Sequence, residues 1–300
     1  MFTRSRLSWL LLVVLACSVL SLRAAERKPN LVLIFADDLG YGDIGPFGSN
    51  QNPTPHLDRL AAEGMKFTSF YATPVCSMSR ASLLTGCYNA RVSIPGVLFP
   101  GAKIGLHPNE ITLAEIVKPQ GYATICIGKW HLGLTYPTTD GQTPSAGAKN
   151  PMSNVDFTKP IGDAPTTRGF DHYFGTIVPN YPPYCFVEDD HTVGIPSVRE
   201  GTREEQFNIP GPMVPGWKLV DILPELTRHA VKWIEDTAKT KKPFFLYLPL
   251  TSPHFPVVPA PEFVGKSKAG AYGDFVFQTD WTAARCSMRC SARASRKTRS

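Results

Sequence analysis

The apolar positions of the chain fall into short continuous runs separated by helical periodicities. Residues 30–36, Asn-Leu-Val-Leu-Ile-Phe-Ala, form an unbroken apolar run, the pattern of a central parallel strand covered on both faces. Residues 65–72, 122–127 and 243–248 also predict strands. Residues 54–64 carry a threonine at the N-cap, Pro55 at the first helical position, apolar Leu57, Leu60 and Ala61, and a closing Gly64, which together predict a helix. Further helices are predicted over 77–86, 111–117 and 223–239, the last with Leu226, Ala230, Val231, Trp233 and Ile234 on its apolar side. Strands alternating with helices imply an α/β fold with a mainly parallel sheet flanked by helices. Residues 135–165, rich in Pro, Gly, Thr and Ser, read as a long surface excursion. Residues 272–281 start another helix. From 282 to 300 the chain has Arg, Ser, Ala and Cys without helical or strand period, an atypical basic tail of the kind a shifted reading frame produces, or else a genuine basic tail.

Composition narrows the class. With 300 residues, 43% of them hydrophobic, and with 28 prolines and 24 glycines, the chain can bury a sizeable core and is loop-rich in the manner of an enzyme. The net charge of +6 is local to the end: Arg285, Arg289, Arg293, Arg296, Lys297 and Arg299 account for it. The rest of the chain is balanced and has no basic patch with interleaved aromatics, so nucleic acid is not an expected partner. At the other end, Arg4 and Arg6 precede an apolar run over 7–22 and the small residues Ala24 and Ala25, an export signal over 1–25. That predicts a mature chain from about Glu26 in a periplasmic or extracellular setting. An uncleaved anchor, or a lipoprotein site at Cys17, is the alternative. Six cysteines then remain, compatible with an oxidising compartment but not spaced as a disulfide scaffold.

Four stretches carry candidate chemistry. Asp37 and Asp38 end the first strand, where open α/β sheets build their sites, and adjacent carboxylates there suit a hard divalent cation or form an ordinary acidic turn. Cys76 precedes Ser77 and Ser79, both good N-cap residues, so it is expected just before a helix N-terminus, with Arg80 about one turn on; such a place favours a tetrahedral oxyanion. A disulfide between Cys76 and Cys87 is the competing reading. Lys129 and His131 are two apart at the end of a strand, a cation beside an imidazole. His254 follows the last strand at the same sheet edge. His56 and His172 are expected to be structural. The aromatics of Tyr181-Pro182-Pro183-Tyr184 either pack a loop or hold a sugar or aryl ring.

Three of these stretches, Cys76-Ser-Met-Ser-Arg80-Ala-Ser-Leu-Leu-Thr-Gly86, Asp37-Asp38-Leu-Gly-Tyr-Gly-Asp43 and Gly128-Lys-Trp-His-Leu-Gly133, resemble the signatures of the type I sulfatases. The resemblance covers about residues 29–281 and implies an alkaline-phosphatase-like fold, with a catalytic portion over 26–281. It also implies oxidation of Cys76 to formylglycine (3-oxoalanine) by a formylglycine-generating enzyme. Met78 departs from the Pro or Ala that the family most often has at that position. Further implied are calcium held by Asp37, Asp38 and the matured Cys76, charge offset by Arg80 and Lys129, collapse assisted by His131, and sulfate binding by His254. The implied substrate is a sulfated small molecule or polysaccharide, and the implied reaction is hydrolysis of its sulfate ester. The Asp-Asn pair, the further lysine and the small C-terminal domain with which the family continues are missing, so the chain is expected to be truncated and to have little or no sulfatase activity. Rival readings are a phosphatase or phosphodiesterase of the same superfold, and an inactive remnant.

Overall fold

The computed structural model describes residues 28–145, 151–200, 209–240 and 242–295. The expected export signal over 1–25 and Cys17 lie outside them. In chain order the elements are β1 (Leu31–Asp37), α1 (Pro55–Glu63), α2 (Cys76–Thr85), α3 (Leu113–Val117), β2 (Ala123–Lys129), β3 (His172–Thr176), β4 (Val187–Glu188), β5 (His191–Thr192), β6 (Val198–Glu200), β7 (Gly211–Met213), α4 (Ile222–Thr240), β8 (Phe244–Pro253) and α5 (Gly270–Ser295). Six strands form one sheet in the order β1-β8-β2-β3-β4-β5, and β6 pairs with β7 separately. The pairs β1·β8, β8·β2 and β2·β3 are parallel, and the β4–β5 hairpin adds antiparallel strands at one side. The expected α/β class with a mainly parallel sheet is therefore observed.

Alternation along β8 builds the layers. Phe245 and Tyr247 pack with Ala81 and Leu84 of α2, Ala114 and Val117 of α3, and Phe170 on one face. Phe244, Leu246, Leu248 and Leu250 pack with Leu226, Ala230 and Ile234 of α4 and Phe275 of α5 on the other. Successive side chains of a strand point to opposite faces, so one uninterrupted apolar run serves both cores. Every residue of β8 is buried. It lies between β1 and β2. The run over 30–36 was expected to be central, but β1 pairs only with β8 among the described strands, and all its residues except Asp37 are half-buried.

Two other expectations change. Residues 65–72 form no strand: Met65, Phe67, Phe70 and Tyr71 are exposed, and no ladder pairs with them among the described residues. Apolar alternation supplies strand propensity but not a partner. Conversely, the helix begun near 272 runs on to Ser295 instead of losing its period at Trp281. Val276, Thr279, Ala283 and Cys286 are buried at helical spacing, and the Thr282 hydroxyl bonds that of Thr227 on α4 at 3.0 Å. Small residues supplied the buried stripe that a search for large apolar ones misses. The excursion over 135–165 is also less superficial than expected, since Met152, Val155, Ile161 and Ala164 join the core. Residues 146–150 within it lie outside the described residues.

Helix α1 forms as expected, but Thr54 does not cap it with its side chain. That hydroxyl accepts from Gly45 N–H and faces Asp58. The carboxylate of Asp280, from α5, accepts instead from His56 N–H (3.2 Å) and Leu57 N–H (2.7 Å). Tertiary structure supplies the acceptor that the helix start needs.

Candidate active site

Because β1, β8 and β2 are parallel neighbours, their C-terminal ends meet at one sheet edge, bringing together residues far apart in sequence. β1 ends in Asp37, β2 ends in Lys129, and His254 directly follows β8. The register of β1 on β8 shifts between Phe35 and Asp37, so β1 bends at the residue that enters the site. Gly128 sets the approach of β2. Its φ is +137°, and a Cβ there would stand 1.9 Å from Pro249 O, so only glycine lets the two strands pass and Lys129 emerge where it does.

Over this edge sits the start of α2. Cys76 is the first helical residue, after Val75 at the N-cap, and no side chain caps the helix. The serines expected as caps work elsewhere: Ser77 accepts from Leu98 N–H, and Ser79 donates to Thr73 O. The first-turn N–H groups thus present partial positive charge beside Cys76. Cys76 and Cys87 are both free thiols, so the disulfide alternative is not realised.

A cavity of about 330 Å³ opens there, lined by Cys76, Asp38, Lys129, His131 and His254 among others. Five of the seven sequence-derived site residues therefore line one cavity, while Asp37 and Arg80 stand behind its lining. Arg80 is fully buried; it donates to Lys129 O at 2.8 Å, lies 3.3 Å from Asp37 Oδ1, and packs over the Phe35 ring. Lys129 Nζ meets Asp37 Oδ2 at 2.5 Å. Burial pushes the Asp37 carboxyl up, but Arg80 and Lys129 outweigh it and hold it down at about 2. Arg80 keeps its charge for the same reason: burial opposes it and Asp37 more than compensates. Arg80 makes these contacts behind the cavity. It fixes Asp37 and the backbone of Lys129, and so positions Lys129.

His131 is buried in a left-handed conformation, φ 54°, immediately past the strand end. The strand geometry that would have aligned it with Lys129 stops at Lys129, yet the turn still delivers it to the same cavity. Its Nε2 lies 2.6 Å from Leu98 O. A carbonyl only accepts, so Nε2 carries the proton there. Burial, then Lys129 and Arg80, push the His131 pKa well down, leaving the ring neutral with a bare Nδ1 that has no partner. His254 Nδ1 contacts Phe255 O, and its Nε2 lies 3.6 Å from Asp38 Oδ2. Asp38 is also left-handed, φ 58°, a conformation that aspartate tolerates better than most residues. His172 is exposed, 3.5 Å from Asp189, and His56 sits in the first turn of α1; neither lines the cavity, as expected.

The calcium expectation meets a partial donor set. No group of three or more His, Cys, Asp or Glu side chains placed to hold a metal occurs among the described residues. Both oxygens of Asp37 face cations, whereas calcium takes six to eight oxygens. The residues present do not by themselves form a calcium site.

The sulfatase family model matches residues 29–285. The chain belongs to the sulfatase family. This sulfatase chain is 35% identical over 296 residues to an N-acetylgalactosamine-6-O-sulfatase of Bacteroides thetaiotaomicron, an alignment that takes in 86% of the chain and 54% of the relative. It is 35% identical over 274 residues to arylsulfatase A of Bos taurus, covering 91% and 50%. A solved sulfatase structure from work on glycosaminoglycan metabolism by B. thetaiotaomicron superposes with a TM-score of 0.74 at 32% identity, covering 89% of this chain and 60% of that one. The fold is thus that of the type I sulfatases, alkaline-phosphatase-like, and the chain spans about half the length of the curated relatives it matches. Sequence reasoning missed Val97, Phe99, Val178 and Asn180 in the cavity wall. They lie in loops without periodicity, and only the topology shows that those loops return to this edge.

Proposed function

We propose that the chain is built to hydrolyse a sulfate ester of a sugar or aryl alcohol, with Cys76, oxidised to formylglycine by a formylglycine-generating enzyme, as nucleophile. The observation that carries this reading is the meeting of a free cysteine at an uncapped helix N-terminus with Lys129, His131 and His254 in one cavity. The hydrated aldehyde, once formed, supplies one hydroxyl for attack on sulfur and a second whose deprotonation restores the aldehyde.

The chain's own residues do the rest. The first-turn N–H groups of α2 and the Lys129 ammonium offset the charge on the sulfate oxygens. Asp37 pins Lys129 Nζ, and Arg80 pins Asp37, so these donors stand in place before substrate arrives. Neutral His131, its Nε2–H spent on Leu98 O, takes a proton at Nδ1 during release. His254 Nε2, beside Asp38, is placed to bind sulfate or hand a proton to the leaving oxygen. Asp38 is also positioned to polarise the attacking hydroxyl. Calcium enters only as a partial fit: Asp37 and Asp38 are the carboxylates that would hold it, short of the six to eight oxygens it takes, and no step above depends on it. Read as an export signal, residues 1–25 support a reaction in a periplasmic or extracellular setting.

The test is sulfate release from 4-nitrophenyl sulfate by the chain co-expressed with a formylglycine-generating enzyme, compared with the Cys76→Ala variant. Slow release that the substitution abolishes supports the reading. Release unchanged in Cys76→Ala moves the chemistry elsewhere, and a preference for 4-nitrophenyl phosphate by the unmatured chain favours the phosphatase alternative.

A further inference from the structure

Part of the cavity lining has no role in the steps above. Phe99 and Tyr181, from separate loops, meet edge to face with ring centroids 5.4 Å apart, and Phe99 stays 55% exposed at the rim. Beside them, Asn180 also lines the cavity, and its buried Oδ1 has no hydrogen-bond partner among the described residues. The electron-rich face of an aromatic ring takes the C–H face of a saturated ring, and an amide oxygen without a partner takes a hydroxyl. We propose that Phe99, Tyr181 and Asn180 form the leaving-group subsite and select a pyranoside sulfate over a flat aryl sulfate; the proposal rests on the sulfatase reading of the same cavity. Both kinds of ring satisfy the aromatic pair. Only the sugar offers a hydroxyl to the Asn180 amide. A site that holds such an amide without a partner loses more when the ligand lacks the matching donor than it gains from extra apolar contact.

Calorimetric titration of the 300-residue chain with inorganic sulfate, 4-nitrophenyl sulfate and galactose 6-sulfate tests this. The sugar ester is expected to bind about tenfold tighter than inorganic sulfate, a difference of the size one hydrogen bond with ring packing supplies. Asn180→Ala is expected to remove most of that margin while leaving inorganic sulfate and the nitrophenyl ester within about twofold, and Asn180→Gln to restore part of it. Phe99→Ala and Tyr181→Ala should weaken both organic esters and spare inorganic sulfate. The ratio of sugar ester to inorganic sulfate is the readout, because a merely structural role would move both together. The subsite is overturned if that ratio is near one in the unsubstituted chain, if no variant changes it, or if Asn180→Ala weakens inorganic sulfate equally. Failure of all three ligands to bind would remove the sulfatase reading itself, and the subsite with it.

Discussion

Replacing Asp37 by Asn removes the one carboxylate that the structure sets between the buried guanidinium of Arg80 and the buried ammonium of Lys129. The substitution is nearly isosteric, so packing is little disturbed and the electrostatic loss is isolated. Asp37 is held at about 2 against an ordinary 3.8, a difference on the order of 2 kcal/mol at neutral pH. Two cations left without their counter-ion raise the cost toward about 3–5 kcal/mol. That is a large share of the ~5–15 kcal/mol that keeps a domain folded. The sign of the pH dependence follows from a folded-state pKa below the unfolded one: the stabilisation is complete above 3.8 and disappears as pH falls through about 2. Urea unfolding of the unsubstituted chain and Asp37→Asn should therefore show the full gap at pH 7 and a shrinking one below pH 3.8. Asp37→Asn combined with Lys129→Met should be less destabilised than the sum of the singles by roughly 1–3 kcal/mol. A gap under about 0.5 kcal/mol at neutral pH, or one that persists undiminished at the acid end, would refute the ion-cluster argument.

Gly128→Ala should cost about 3 kcal/mol or more, since the new methyl would meet Pro249 O at 1.9 Å on a backbone already at φ +137°; thermal melts of the two forms are the check, and an unchanged midpoint would contradict it. His131, buried and pushed well below 6.5, must take up a proton on unfolding, so stability should fall as pH drops below 6.5 with a slope of at most about 1.4 kcal/mol per unit from this group. Chemical denaturation between pH 7 and 5 should show that limb, and His131→Gln should flatten it; an identical slope in the variant would place the titration elsewhere.

What the sequence made legible is the buried part of the fold and the chemistry at strand ends. The runs that became β1, β2 and β8 are dense in large apolar residues, and the side chains at their C-terminal ends were read as one sheet edge before any pairing was known. Burial and pairing, however, depend on neighbours that a local pattern does not contain. Residues 65–72 have the composition of a strand yet stay exposed, and the run of β1 reads as central yet stands at the side of the described sheet. The end of α5 was missed for the opposite reason, because threonine, alanine and cysteine make its buried stripe. Arg80 was placed along the chain, but its neighbours within the fold carry no local signal. Its guanidinium faces Asp37 and the β2 carbonyl behind the cavity, a direction set by how α2 packs on the sheet. Phe99 and Asn180 carried no local signal, and become meaningful only where their loops return beside Cys76.

The central claim is that Cys76 is matured into the nucleophile, and mass spectrometry of the tryptic peptide containing it, from chain co-expressed with a formylglycine-generating enzyme, tests that most directly. The account predicts an aldehyde in place of the thiol at Cys76, trapped as a hydrazone by an added hydrazine and absent from the same peptide of Cys76→Ala. A thiol that remains wholly unconverted, Met78 and all its neighbours being intact, would contradict it.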